Sequence, residues 1–458
     1  MPIHFFIFLF FLLFLTISDF LLVKMPIFLN TIDMSNIEQF KKILKGKGTG
    51  KTMSKHMALD DISFVLSHFN SPDIPMAMKA TLLTAWLMLD ATDEEAVALN
   101  QLKNNINDIL PNDLHFLFNK GSSLLIDQQV SMLLNHQSLS RKDLMECLST
   151  FHSGDVPDYK IAALLEGLRL KEETFEENSA VYDFFKSKAK SVNLNIPLII
   201  DMATPYDGFN RHYFLQPFLA ALLASIGIPS ILHGVQTVSP KNGMNTHKLF
   251  LNAGKHPLKS LDNVAKDILD PTIGWGYIDQ SIFCPPLHDL IPTRIAMVKR
   301  PVLATIEKWL QPISANRTVC LTGFTHPPYK QKTIDMVHHA GIYDDLMLIR
   351  GVEGSTLLPY DRRAPFIISH NNQEPTFDFI SPTDVSHEPC DLGEQNPDET
   401  LIKGIDALTG NNQQLSDYLC YQALAIGTVI GHDINKMTND LMASIDSGKA
   451  LSHWENIS

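Results

Sequence analysis

Two stretches of this chain repeat one another. LSHFNSPDIP at 66–75 and LSTFHSGDVP at 148–157 agree at six of ten positions, at an offset of 82 residues. The match continues without a gap: IPMAMKATLLTAWLMLDATDEE (74–95) lies over VPDYKIAALLEGLRLKEETFEE (156–177). Each copy reads as a helix, a turn at Pro75 or Pro157, a second apolar helix and then a third. The third opens with a capping box, Thr92 with Glu95 and Thr174 with Glu177, in which the hydroxyl and the glutamate each satisfy an early backbone N–H. Leu82, Leu83, Trp86 and Leu87, and Leu164, Leu165 and Leu168, recur at helical spacing. Two copies are too few for a solenoid, so the repeat predicts a small helical module present twice and packed into a bundle.

The pattern changes after residue 195. IPLIID (196–201) reads as a buried strand, FLQPFLAALLASIG (214–227) as a helix and IPSILHG (228–234) as a second strand. Strand, helix, strand in that span predicts a βαβ unit and a parallel sheet. Ligands of such sheets bind at the carboxyl ends of the strands, here the loop DMATPYDGFNRH (201–212). The expected division is an apolar leader at 1–34, a first helical repeat at 35–120, a second at 121–195 and an α/β domain at 196–458.

Charge and cysteines narrow the setting. The 458 residues allow two or three domains. A formal charge of −13 argues against a general nucleic-acid coat but leaves room for a local basic patch, such as Lys41, Lys42, Lys45, Lys47, Lys51 and Lys55, read as a solvated face. Cys147, Cys284, Cys320, Cys390 and Cys420 form no CxxC pair and are odd in number, which fits free thiols in a reducing, cytoplasmic setting. The opening MPIHFFIFLFFLLFLTISDFLLV is almost wholly apolar, lacks Lys and Arg, and contains Asp19. Three readings stay open for it: upstream sequence before a true start at Met25 or Met34, a membrane anchor through residues 3–23, or a cleaved signal.

The second module also carries a resemblance. Its phrase Arg169-x-Lys171-x-Glu173-Thr174-x-Glu176-Glu177 resembles the R-x-K-x-E-T-x-E-E phrase in the N-terminal helical domain of the anthranilate phosphoribosyltransferase-like family, glycosyl transferase family 3. The family's other phrases follow in order over about 138–458. The resemblance implies an α/β protein with an all-α N-terminal domain and a central mixed or parallel sheet. It implies a homodimer joined through the helical domain, which also walls the cleft, and transfer of phosphoribose from phosphoribosyl diphosphate to a nitrogen acceptor.

Residue by residue, the resemblance implies a phosphate side and an acceptor side. The family's G-T-G-G-D-G loop becomes 203–208, keeping Thr204, Asp207 and Gly208 while Ala203, Pro205 and Tyr206 replace glycines. That loss matters because backbone N–H groups approach phosphate closely only where side chains are absent, and Pro205 has no donor. Arg211 stands nearby to supply charge. His233-Gly234 matches the family's H-G, and Ser239, Lys241 and Gly243 fall on its S-S-K-S-G. Arg294, six before Arg300, is the candidate cation facing the acceptor. In RGVEG (350–354) Glu353 stands alone where the family has an Asp-Glu pair for Mg2+. A magnesium ion takes one or two carboxylates plus substrate phosphates, so this site is weakened.

Two other readings share the fold. Relatives with H-P-x-Y and R-G-x-E-G phrases look like non-catalytic nucleic-acid-binding proteins, and His326-Pro327-Pro328-Tyr329 and 350–354 share those departures. Nucleoside phosphorolysis is the third and would depend on phosphate rather than diphosphate. GKGTGKT (46–52) is not a P-loop: three residues, not four, separate its glycines, and a helical stretch precedes it. No histidine pair has metal-ligand spacing.

Overall fold

The structure, a computed structural model, describes residues 34–50, 53–119, 121–151, 154–385 and 392–458. The apolar leader, Lys51 and Cys390 lie outside them. Four longer helices form the first module, α1 Met34–Lys47, α2 Leu59–His68, α3 Met76–Met88 and α4 Asp93–Asn104, and short turns at Ile106–Ile109 and Asn112–Leu117 follow them. Four more form the second: α5 Leu125–Leu134, α6 Arg141–Ser149, α7 Asp158–Lys171 and α8 Phe175–Lys188. The starts of α2 and α6, of α3 and α7, and of α4 and α8 are each 82 residues apart.

The equivalence extends to hydrogen bonds. Both capping boxes form, with Thr92 accepting from Glu95 N and Thr174 from Glu177 N. The same two glutamates reach further. Met57 N donates to Glu95 Oε1 at 2.9 Å, and its equivalent, Leu139 N, donates to Glu177 Oε1 at 2.8 Å. A lysine neutralises each carboxylate, Lys47 in the first module and Lys171 in the second, both at 2.8 Å. Lys47 is therefore buried, which corrects its reading as part of a solvated basic face: a buried carboxylate needs a partner, and Lys47 is in reach. The GKG stretch at 46–48 overlaps and follows the end of α1, not a strand, as expected of a segment that is no P-loop.

The α/β part follows. A two-stranded parallel pair joins β1 Val192–Asn193 to β5 Ile313–Ser314. The main sheet contains β2 Ile199–Ala203, β3 Ser230–Gly234, β4 Trp275–Asp279, β6 Thr318–Gly323, β7 Asp345–Ile349, β8 Ala364–His370 and β9 Thr376–Ile380. Its order is β4-β3-β2-β6-β7-β8-β9. The first five strands are parallel, and β8 and β9 run antiparallel at one edge. The fold is thus an N-terminal helical bundle followed by an α/β domain with a mixed sheet.

Alternation along the strands divides the core in two. Ile199, Ala203, Ile231, Ile278 and Cys320 join the helical modules in one cluster. Ile200, Met202, Leu232, Trp275 and Leu321 face the other way, onto α9 Gln216–Ser225 and the long helix Gln413–Ile430. Side chains of successive strand residues point to opposite faces, so both faces must be apolar, as the fully buried β2, β3 and β4 are. Cys147, Cys284, Cys320 and Cys420 are free and buried. Among the described residues no helix is long and apolar enough to cross a membrane.

Candidate active site

The carboxyl ends of the parallel strands point to one edge, and the loops that leave them enclose a cleft of about 340 Å³. That size suits a small ligand. Of the predicted site residues, Asp207, Arg211, Ser239, Lys241, Arg294 and Glu353 line it.

Thr204, His233 and Gly234 do not reach it; they border a separate cavity of about 10 Å³. The reason is Tyr206, one of the residues expected from the resemblance to replace a loop glycine. Its ring lies between His233 and the cleft and lines both spaces. The Tyr206 hydroxyl is 2.5 Å from His233 Nδ1, and His233 Nε2 is 3.0 Å from Asp201 Oδ1. Tyr343 donates to the other Asp201 oxygen at 2.8 Å. Burial pushes the Tyr206 phenol well above its ordinary range, with Glu307 and the nearby carboxylates Asp201 and Asp279 adding to it.

The remaining glycines serve the contact between two loops. Gly208 has φ +75°, and a Cβ there would lie 2.4 Å from Met244 O. A Cβ on Gly243 would lie 2.4 Å from Phe209 O. This closeness lets Phe209 and Met244 exchange backbone hydrogen bonds of 2.8 and 2.9 Å.

Glu353 ties three loops together. Its carboxylate accepts from Lys241 Nζ at 2.7 Å and from Arg211 N at 3.0 Å, and lies 3.1 Å from His212 Nδ1. Lys241 also donates to Gly208 O at 3.1 Å. Burial would raise the Glu353 carboxyl; His212 and Lys241 outweigh it and hold the group down to about 2. As a magnesium ligand it fits poorly. It is a single carboxylate already engaged by two side chains and two backbone N–H groups, those of Asn210 and Arg211, and no group of three His, Cys, Asp or Glu suited to a metal occurs among the described residues.

Arg294 is likewise engaged. Its guanidinium donates twice to Glu307, at 2.6 and 2.9 Å, with both side chains buried. The pair is bidentate and compensated, so Arg294 offers the cleft no free charge. Arg300 donates to Asp207 with its own guanidinium half exposed.

The sequence pattern did not mark Glu307 or Lys308 as parts of the site, and named Tyr206 only as a replaced glycine. Lys308 donates to Gly323 O at 3.2 Å and faces no carboxylate in an ion pair among the described residues; burial lowers it to about 8. The replacement of a loop glycine by Tyr206 was the one signal available, since a phenol there must fill space a glycine leaves open.

Comparisons with known proteins bear on this geometry. Residues 130–189 match the family described as glycosyl transferase family, helical bundle domain. An uncharacterised protein of Aquifex aeolicus is 26% identical over 48% of this chain and 65% of its own length. An anthranilate phosphoribosyltransferase of Desulfosudis oleivorans is 29% identical over 42% of this chain and 54% of its own. The aligned region thus spans about half to two thirds of those two relatives. The solved anthranilate phosphoribosyltransferase of Saccharomyces cerevisiae in complex with PRPP and Mg superposes with a TM-score of 0.58 at 16% identity, covering 72% of this chain and 96% of that one.

The chain is distantly similar to the anthranilate phosphoribosyltransferases, in its helical bundle and in its fold. Two residues expected to depart from the family's phrases, Tyr206 and Glu353, line the cleft, and Glu307 there is clamped on Arg294.

What this cleft can do follows from its charges. Arg294, Arg300 and Lys241 are each paired with a carboxylate, while Arg211 and Lys308 line the cleft without one among the described residues. None of its hydroxyls on Ser239, Thr305 or Thr325 is hydrogen-bonded to a carboxylate or imidazole among the described residues; Ser239 donates to Ile295 O. The cleft therefore suits holding an anion more than attack by a side-chain nucleophile.

Proposed function

We propose that the protein is a transferase of the phosphoribosyl type, taking phosphoribose from phosphoribosyl diphosphate to a nitrogen acceptor. The observation that carries this is the surplus of cations in the cleft: Arg211 and Lys308 line it with no carboxylate ion-pair partner among the described residues, in a chain whose formal charge is −13. Lys241 and Arg211 would meet the phosphates, with Ser239 and the 204–208 loop as the nearby backbone. Catalysis of this kind needs positioning and stabilisation of the leaving diphosphate, not a nucleophilic residue. Glu307 makes a carboxylate acceptor unfavourable beside Arg294, since a second anion there would have to displace the first. The acceptor in this reading carries hydrogen-bonding nitrogen without an acid group at that point. The divisions at 35–120, 121–195 and 196–458 belong to the same reading.

Calorimetric titration with phosphoribosyl diphosphate, with and without magnesium, tests it. Binding is expected, and Lys241→Ala is expected to weaken it at least tenfold, about 1.4 kcal/mol. A correctly folded protein that takes up no heat-producing ligand at millimolar concentration would remove this reading.

A second reading, nucleic-acid binding, draws on the edge strand. Phe377 and Phe379 on β9 are exposed, with Lys330 over the first ring and Arg363 over the second. Exposed rings interleaved with cations suit base stacking. A salt series with single-stranded oligonucleotide, in parallel with Phe377→Ala, separates this reading from the first.

A further inference from the structure

An internal duplication places two equivalent surfaces in one chain, and here those surfaces face each other. α3 and α7 are equivalent helices, and they pack directly together. α3 is buried along nearly its whole length, far more than an amphipathic helix on one side of a bundle needs. Near the ends of the two helices, Met88 and Leu170 share one small buried cluster with Ala85. These two residues are themselves equivalent at the 82-residue offset. A further helix, α10 Ile291–Met297, lies against both α3 and α7.

Repeats stacked by translation set the back of one unit against the front of the next. Equivalent positions that meet one another describe a different relation. It is the isologous one, in which the same patch is used on both sides of a two-fold axis.

The polar contacts support the same picture. Each module satisfies its own buried glutamate with its own lysine, Lys47 with Glu95 and Lys171 with Glu177, so neither borrows a charge from the other. What crosses between them at the centre is apolar. Hydrogen bonds lie to the side, where Arg169 donates to Gly48 O and the Tyr159 hydroxyl to Asp113 Oδ1 at 3.1 Å. An apolar centre with polar contacts around it is the anatomy of an interface between two bodies.

We propose that α7 carries a self-complementary association face, and that the first module fills, within the same chain, the seat a second copy of the chain would take. The partner this face fits is a copy of its own module, and the intact chain already holds one. A homodimer through the helical domain, expected from the resemblance, then has no free α7 face to use. The proposal does not depend on what the cleft binds.

Two measurements test it. Sedimentation equilibrium of the full chain is expected to give one species of 51.4 kDa over a wide concentration range. In the full chain carrying Met88→Cys and Leu170→Cys, oxidation is expected to link the two positions within one chain, leaving the mass unchanged. A link that joins two chains, or no link in a protein with native circular dichroism, overturns the proposal. If the double variant fails to fold, the unmodified protein still decides. A lysine crosslinker applied to heavy- and light-isotope chains refolded together should give only isotopically pure links between the modules. Mixed links would mean that the modules pair across chains.

Discussion

At the residue scale the cleft is governed by three carboxylates, each already matched to a cation. Glu307 and Arg294 are the most buried of these pairs. Removing one partner leaves the other charged and desolvated, so Glu307→Ala is expected to destabilise the protein by about 3–5 kcal/mol in urea unfolding. The paired replacement Arg294→Met with Glu307→Leu should recover most of that loss, because two apolar side chains need no compensation. Glu353 carries a pH signature. Its folded-state carboxyl lies near 2, below the ordinary 4.5, so its contribution to stability is complete above about pH 4.5 and is lost as the pH falls toward 2. The contribution is about 2 kcal/mol, allowing for partial solvent screening. Glu353→Gln should flatten that limb of the stability–pH curve, read from urea midpoints.

At the scale of elements, the helical modules were legible because their signals are local. Helical spacing of Leu82, Leu83 and Trp86, prolines at the turns and two capping boxes all act within a few residues, and helix starts fell on the predicted offset. Thr92→Ala and Thr174→Ala should therefore each cost about 1 kcal/mol in thermal or urea unfolding, with closely matched values. The loops were legible only as positions. Motif order brought Asp207, Lys241 and Glu353 to one cleft, yet which way a side chain faces depended on neighbours far along the chain. His233 is turned into a buried network with Asp201, 32 residues earlier, and is screened by Tyr206. Arg294 meets Glu307 across a change of helix. Nothing in residue spacing announces a contact of that kind. The magnesium site suffers from the same blindness, because a lone glutamate in a motif does not reveal that Lys241 has already claimed it.

At the scale of the whole molecule, two cores meet at the sheet, and the cleft sits at the edge where the parallel strands end. The sheet can be both a wall and a platform because alternate residues of β2 serve opposite cores. The clamp on Glu353 gives this arrangement a time course. A phosphate that takes Lys241 must first part it from Glu353, and that carboxylate also holds Arg211 N and His212 from the neighbouring loop. Entry and loop release are then two coupled steps, and clamp opening limits the rate at high ligand concentration. In stopped-flow mixing the observed rate should rise with ligand concentration and then level off at the rate of clamp opening, while Glu353→Gln should raise that ceiling. A resting latch of this kind makes the cleft selective in time as well as in charge: a weakly charged visitor leaves before the loops part, and only a multiply charged one remains long enough to be held.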